Sequence, residues 1–165
     1  FLPNMRAGGA PHNNLDDRGS LVGLTLAHKR GDILRAILEG ITFNIRLMCE
    51  AMEKQVGTTF SEVRMIGGGS KSALWREIEA NILNRKILTL TAAQEANSLG
   101  ATIIAGVALG VIKDFDEGVQ KYVRKRETIE PKEELVKIYQ KQFPIFNQAY
   151  SALCSINKEL NRISE

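Results

Sequence analysis

The sequence predicts an α/β fold in which a sheet carries helices on its faces and a helical tail follows. Three observations carry that expectation. Strand and helix patterns alternate through the first two thirds of the chain, a glycine run sits directly between a strand and a helix, and the last third keeps helical spacing.

The elements follow in order. Residues 1–17 are rich in Gly, Pro and Asn (Pro3, Asn4, Gly8, Gly9, Pro11, Asn13, Asn14) and read as an opening loop. Residues 18–26 alternate imperfectly and predict a strand, with Gly19 and Gly23 marking a bulge or a close backbone approach. Asp32 opens a long helix whose apolar stripe is Leu34, Leu38, Ile41, Ile45, Met48 and Met52, with Gly57 as its C-terminal cap. A short strand over 63–66 runs straight into Gly67, Gly68 and Gly69. The next helix places Leu74, Ile78 and Ile82 on one face, and residues 86–91 predict another strand.

A helix over about 97–110 is dense in small residues (Gly100, Ala101, Ala105, Gly106, Ala108), which predicts close approach to a neighbouring backbone in the core or at a hinge. The tail begins with a short helix over 115–123. Pro131 then starts another helix at its first position, with Glu133 and Glu134 in the first turn and Pro144 as a kink. Leu135, Tyr139, Phe143, Phe146, Tyr150 and Leu153 form its packed stripe. The chain therefore divides into an opening loop (1–17), a core (18–112) and a helical tail packed on the same domain (113–165), with no internal repeat or low-complexity linker.

Composition bounds the function. The 165 residues are 44% hydrophobic, enough for one domain with a real core. A net charge of +3 gives no reason to expect a nucleic-acid partner, and the basic run Lys121, Arg124, Lys125 and Arg126 reads as a solvated face. Cys49 and Cys154 stand far apart among apolar residues and read as buried thiols of a cytoplasmic protein. The longest apolar stretch, 99–112, is interrupted by glycines and too short to cross a bilayer, so no membrane role is expected. No signal-peptide pattern is present, and a start at Phe1 points to an excised or truncated product.

Glycines between a strand and a helix let a phosphate or nucleotide approach the backbone, and the following helix N-terminus favours an anion. The same run also serves as a tight strand-to-helix turn, and both readings stand on the glycines alone. Two familiar nucleotide motifs fail on spacing. A P-loop needs Gly-Lys-Ser/Thr, but Lys71 follows Ser70, and the dinucleotide pattern needs glycine where Ser72 stands.

At this point a family resemblance enters. Gly67-Gly68-Gly69-Ser70-Lys71-Ser72-Ala73-Leu74-Trp75-Arg76 is similar to the adenosine-binding segment of FGGY carbohydrate kinases, the xylulokinase-like branch above all. Gly19-Ser20-Leu21-Val22-Gly23-Leu24 followed by Asp32-Ile33-Leu34-Arg35-Ala36-Ile37-Leu38-Glu39 resembles that family's C-terminal signature. Glu95-Ala96-Asn97-Ser98-Leu99-Gly100-Ala101 resembles its glycine-alanine helix near the interdomain hinge. The opening residues 1–6 match the family only loosely.

The resemblance implies an actin-like ATPase architecture of two ribonuclease-H-like domains with ATP between them, this chain being an incomplete second domain. It implies that Gly68 and Gly69 pass beside the adenosine through their backbone, that Gly67 fixes the turn, and that Ser72 approaches the adenine. Glu95 and Gly100 would be structural members of the hinge segment. The implied reaction is transfer of the ATP γ-phosphate to a sugar hydroxyl, xylulose being preferred and gluconate or glycerol remaining open. Mg²⁺ would arrive with the nucleotide.

The family's catalytic base and phosphate loop belong to a first domain missing here, so no catalytic or metal residue is assigned and the piece alone is expected to be inactive. Asp16 and Asp17 lie in the opening loop, Asp114 and Asp116 at a helix start where capping accounts for them, and His12 and His28 lack partners at useful spacing. Two other classes compete: a non-catalytic relative acting as a binding or assembly module, and a nucleotide-binding oxidoreductase suggested only by the glycines. An exposed strand edge left by truncation further predicts self-association into a homo-oligomer.

Overall fold

The computed structural model describes residues 1–5 and 12–164. Gly8, Gly9 and Pro11 of the expected opening loop lie outside the described residues. The chain divides into two compact units, one comprising Phe1–Thr59, Asn81–Asn84 and Lys132–Glu165, the other Phe60–Ala80 and Arg85–Pro131.

The first unit is built on two long helices, α1 (Arg30–Val56) and α5 (Glu133–Ser164). Asp32 starts α1 by accepting the Lys29 N–H at 2.8 Å, and Gly57 ends it in the left-handed region (φ +73°). The expected apolar stripe is only partly used: Leu34 and Met52 are about half exposed, while Thr42 and Phe43 are buried. The reason is that the middle of α1 packs on α5, where the Phe43 ring meets Tyr139, Phe143 and Phe146 at centroid distances of 6.0, 5.8 and 5.3 Å. At Gly40 any Cβ would collide with the Phe1 carbonyl, so only glycine lets the opening segment lie against α1.

The α5 helix starts two residues later than expected. Lys132 precedes it and donates its N–H to Asn81 Oδ1 at 2.7 Å, leaving Pro131 outside the helix. The helix then continues through Pro144 as one element. Cys49 and Cys154 are free thiols, half-buried rather than buried.

The strand expected over 18–26 does not form. Ser20 makes an isolated antiparallel bridge with Leu2, and Leu21, Val22, Leu24 and Leu26 are exposed. A strand exists only where a neighbour completes its ladder, and among the described residues only Ser20 of this segment has one.

The second unit holds a three-stranded sheet in the order β1 (Glu62–Met65), β2 (Lys86–Leu90), β3 (Lys125–Ile129). The β1 and β2 strands are parallel, with Met65 opposite Thr89; β3 runs antiparallel to β2, with Glu127 opposite Thr89 and a bulge at the Thr89–Leu90 step. The sequence reading missed β3. Residues 125–129 are mostly charged and exposed, so they carry no apolar alternation, and the tail is therefore not wholly helical.

Helix α2 (Ala73–Leu83) connects β1 to β2 and buries Ile78 and Ile82 as expected, with Leu74 left partly exposed. The pair α3 (Ala96–Ala108) and α4 (Phe115–Tyr122) packs together, a Cβ at Gly118 falling 2.6 Å from Ile103 Cγ2. Of the two settings expected for α3, the core is not the one observed: Ile103 is its only buried residue, because α4 covers one face and the rest is open. Close approach occurs at Gly106, facing Ile112, and not at Gly100, where a Cβ would meet nothing.

Candidate functional site

The glycine run sits at the C-terminal end of β1, the end of a parallel strand pair where α/β folds place ligands. Gly67 takes φ +76°, ψ −168°, a conformation that side chains resist, and donates its N–H to Ala93 O at 2.8 Å in the turn after β2. Gly68–Lys71 then form one 3-10 turn before α2.

The loop turns its carbonyls inward. Gly67 O accepts from Ser70 N at 3.2 Å and from Ser70 Oγ at 2.7 Å; Gly69 O accepts from Ser72 N at 3.0 Å; Ser70 O accepts from Arg76 Nη1 at 2.7 Å. Among the described residues the N–H groups of Gly68 and Gly69 meet no acceptor, as befits the first positions of a helical turn. Gly68 is exposed, and a Cβ at Gly67 or Gly68 would meet nothing within 4 Å, so that side of the loop is open. Gly69 is different: a Cβ there would lie 3.0 and 3.1 Å from Trp75 ring carbons, so the indole supports the loop from beneath.

Ser72 caps α2, its Oγ accepting the Trp75 N–H at 3.2 Å. The structure thus brings Gly67, Gly68, Gly69 and Ser72 onto one continuous turn.

A polar cleft of about 520 Å³ opens beside this turn, lined among others by Ser70, Lys71, Arg76, Thr89, Glu95 and Arg126. Arg76 spans it. Its Nη2 lies 3.2 Å from Glu127 Oε2, its side chain is 16% exposed, and its buried Nε has no hydrogen-bond partner among the described residues. Thr89 Oγ1 is likewise enclosed without a partner. Sequence reasoning quoted Arg76 within the motif but gave it no role, and missed Thr89 and Glu127, because their meeting depends on β3. Glu95 stands at the N-terminal boundary of α3 without capping it, and Gly100 lines a separate apolar cavity of about 310 Å³ with Leu90, Ile103, Phe115 and Val119.

The other candidate groups have structural partners. Asp17 is buried and accepts from Asn4 Nδ2 at 2.6 Å, Asn14 Nδ2 at 2.9 Å and Tyr150 Oη at 2.9 Å. Asp16 accepts from Asn161 at 3.0 Å, and Asp114 caps α4 through the Glu117 N–H at 2.9 Å. The His12 ring stacks on Tyr150 at 3.8 Å, and His28 Nδ1 accepts the Thr25 N–H at 2.9 Å. Among the described residues no group of three or more His, Cys, Asp or Glu side chains could hold a metal ion, and no helix is long and apolar enough to cross a membrane.

The site is thus a glycine turn between β1 and α2 in an α/β arrangement. The C-terminal domain of the FGGY family of carbohydrate kinases matches residues 1–109, and this chain belongs to that family. Among its relatives is the xylulose kinase of Staphylococcus epidermidis, 29% identical over 164 residues, covering 99% of this chain and 33% of that protein. Ligand-bound xylulose kinase from Lactobacillus acidophilus superposes with a TM-score of 0.81 at 32% identity, over 96% of this chain and 32% of that one. Plasmodium falciparum glycerol kinase with ADP gives 0.77 at 27% identity, over 92% and 30%. The chain spans about a third of the length of the curated relatives it matches.

Proposed function

We propose that this chain is the adenosine-binding part of an ATP-dependent sugar kinase, the half of the nucleotide site that contributes no chemistry. The observation that carries it is the turn at 67–72, where among the described residues the Gly68 and Gly69 amides stand without acceptors beside the open side at Gly67 and Gly68, while the carbonyls of Gly67, Gly69 and Ser70 are engaged. Such a surface accepts a flat, acceptor-rich ligand at close range. The roles that follow are backbone contact to adenosine for Gly68 and Gly69, a fixed turn for Gly67, and a hydroxyl directed to the base for Ser72.

In this reading the domain is ribonuclease-H-like and ATP lies between it and a first domain that supplies the base and phosphate loop. Mg²⁺ travels with the nucleotide, neutralising phosphate charge during transfer to the sugar hydroxyl. Xylulose is the preferred acceptor, because relatives named xylulose kinase recur in both sequence and structure, with gluconate and glycerol as the alternatives that other relatives' names supply. The free thiols suit a cytoplasmic setting. The exposed Leu21, Val22, Leu24 and Leu26 supply the apolar edge for self-association of the isolated chain.

Calorimetric titration of the chain with ADP, beside an assay for sugar-dependent ADP release, tests this. The expected result is weak, saturable ADP binding without turnover. Absence of any nucleotide binding sinks the proposal, and so does robust turnover by these 165 residues.

A further inference from the structure

We propose that Arg76 is a positioning residue for nucleotide binding, its guanidinium locking the glycine turn in the shape that presents the Gly68 and Gly69 amides. Glu127 of β3 holds that guanidinium in place. The inference rests on the adenosine reading above and deepens it.

Arg76 stands where an arginine is unfavourable on three counts. It lies in the first turns of α2, where a cation opposes the helix dipole. It is largely withdrawn from water, and its Nε has no acceptor among the described residues. Its two contacts offset these costs: Nη1 to Ser70 O at 2.7 Å and Nη2 to Glu127 Oε2 at 3.2 Å. Ser70 is buried, so without Arg76 its carbonyl would lose its donor away from solvent.

That carbonyl is a link in a continuous chain of bonds. Ala93 O fixes Gly67 N, Gly67 O fixes Ser70 through two donors, and Ser70 O is fixed by Arg76. Release of the last link frees the turn to rotate the Gly68 and Gly69 amides out of alignment, although Arg76 itself need not touch the nucleotide. A fork-shaped guanidinium can bridge two acceptors set apart in space; a lysine's donors all lie on one nitrogen and cannot span them in the same way. Glu127 also explains why a mostly exposed strand carries a fixed register at this position: it lies directly opposite Thr89 and its carboxylate reaches α2.

The test compares wild type, R76K, R76Q and E127Q by amide hydrogen exchange at Gly67, Ser70 and Ser72, by ADP titration and by thermal melting. R76Q is expected to speed exchange at these amides, relative to Ile87 and Leu88 of β2, and to weaken ADP binding, each by about tenfold or more. R76K and E127Q should fall between R76Q and wild type. If R76Q loses its cooperative melt, E127Q decides, since it keeps the arginine and alters only a half-exposed carboxylate. Wild-type ADP affinity retained within about twofold by R76Q, or by E127Q where R76Q does not fold, overturns the role of Arg76 alone. A loosened turn with unchanged ADP affinity overturns it too, leaving a purely structural residue. Absence of ADP binding by the wild type instead removes the nucleotide reading and this role together.

Discussion

The Tyr139 hydroxyl of α5 donates to Glu39 Oε1 of α1 at 2.7 Å, while accepting from Arg35 Nη2 at 2.9 Å. One phenol thus completes an ion pair made along α1, where Arg35 Nε meets the same Glu39 oxygen at 2.7 Å. Tyr139 is buried and Glu39 is mostly covered, while Arg35 reaches solvent. Tyr139→Phe should cost about 2 kcal/mol, read by urea unfolding, because a charged acceptor loses a buried donor. Burial pushes the phenol up to about 12 from 10.0. Its contribution is therefore complete below pH 10 and is lost as pH rises through 12, a fall that Tyr139→Phe should remove.

Glu79 of α2 supplies a second pH dependence. It is 6% exposed, and burial pushes its carboxyl from 4.5 up to about 7. The folded state binds a proton that the unfolded chain releases, so stability is greatest below pH 4.5, declines as pH rises and levels off above 7. The decline attributable to this group is about 3 kcal/mol. Unfolding midpoints of Glu79→Gln between pH 4 and 8 should lose this slope; an unchanged slope assigns it to other groups.

Thr89 carries an enclosed hydroxyl oxygen without a partner among the described residues. Valine has the same shape and no polar atom, so Thr89→Val should stabilise the chain by about 1 kcal/mol in denaturant melts. Destabilisation would mean that the hydroxyl has a partner in solution.

Two glycines of the α3–α4 pair should respond with opposite signs. A Cβ at Gly118 would press on Ile103, which is itself buried, so Gly118→Ala should destabilise by about 1 kcal/mol once its helix-propensity gain is deducted. At Gly100 the added methyl meets nothing, and Gly100→Ala should stabilise by about 0.5–1 kcal/mol. Thermal melts of the two variants side by side check the contrast.

The sequence by itself determined what depends on neighbours along the chain. Gly57 as the cap of α1, Asp114 as the cap of α4, the β1 and β2 segments and the glycine turn between β1 and α2 are all set by residues a few positions apart. Their physics is local: backbone conformations open to glycine, side-chain oxygens that cap amides, and apolar spacing that matches a helix or strand.

Tertiary structure decided whatever needs a partner from far along the chain. Residues 18–26 have the alternation of a strand but, among the described residues, no ladder beyond the single Leu2–Ser20 bridge, whereas charged residues 125–129 have no such alternation and still form β3 because β2 offers them one. The same dependence shaped the site. Gly67, Gly68, Gly69 and Ser72 were legible as a contiguous motif, but the clamp that joins Ser70, Arg76 and Glu127 crosses more than fifty residues of sequence and exists only once β3 has paired. Short-range geometry wrote the turn, and long-range hydrogen bonding decided what holds it.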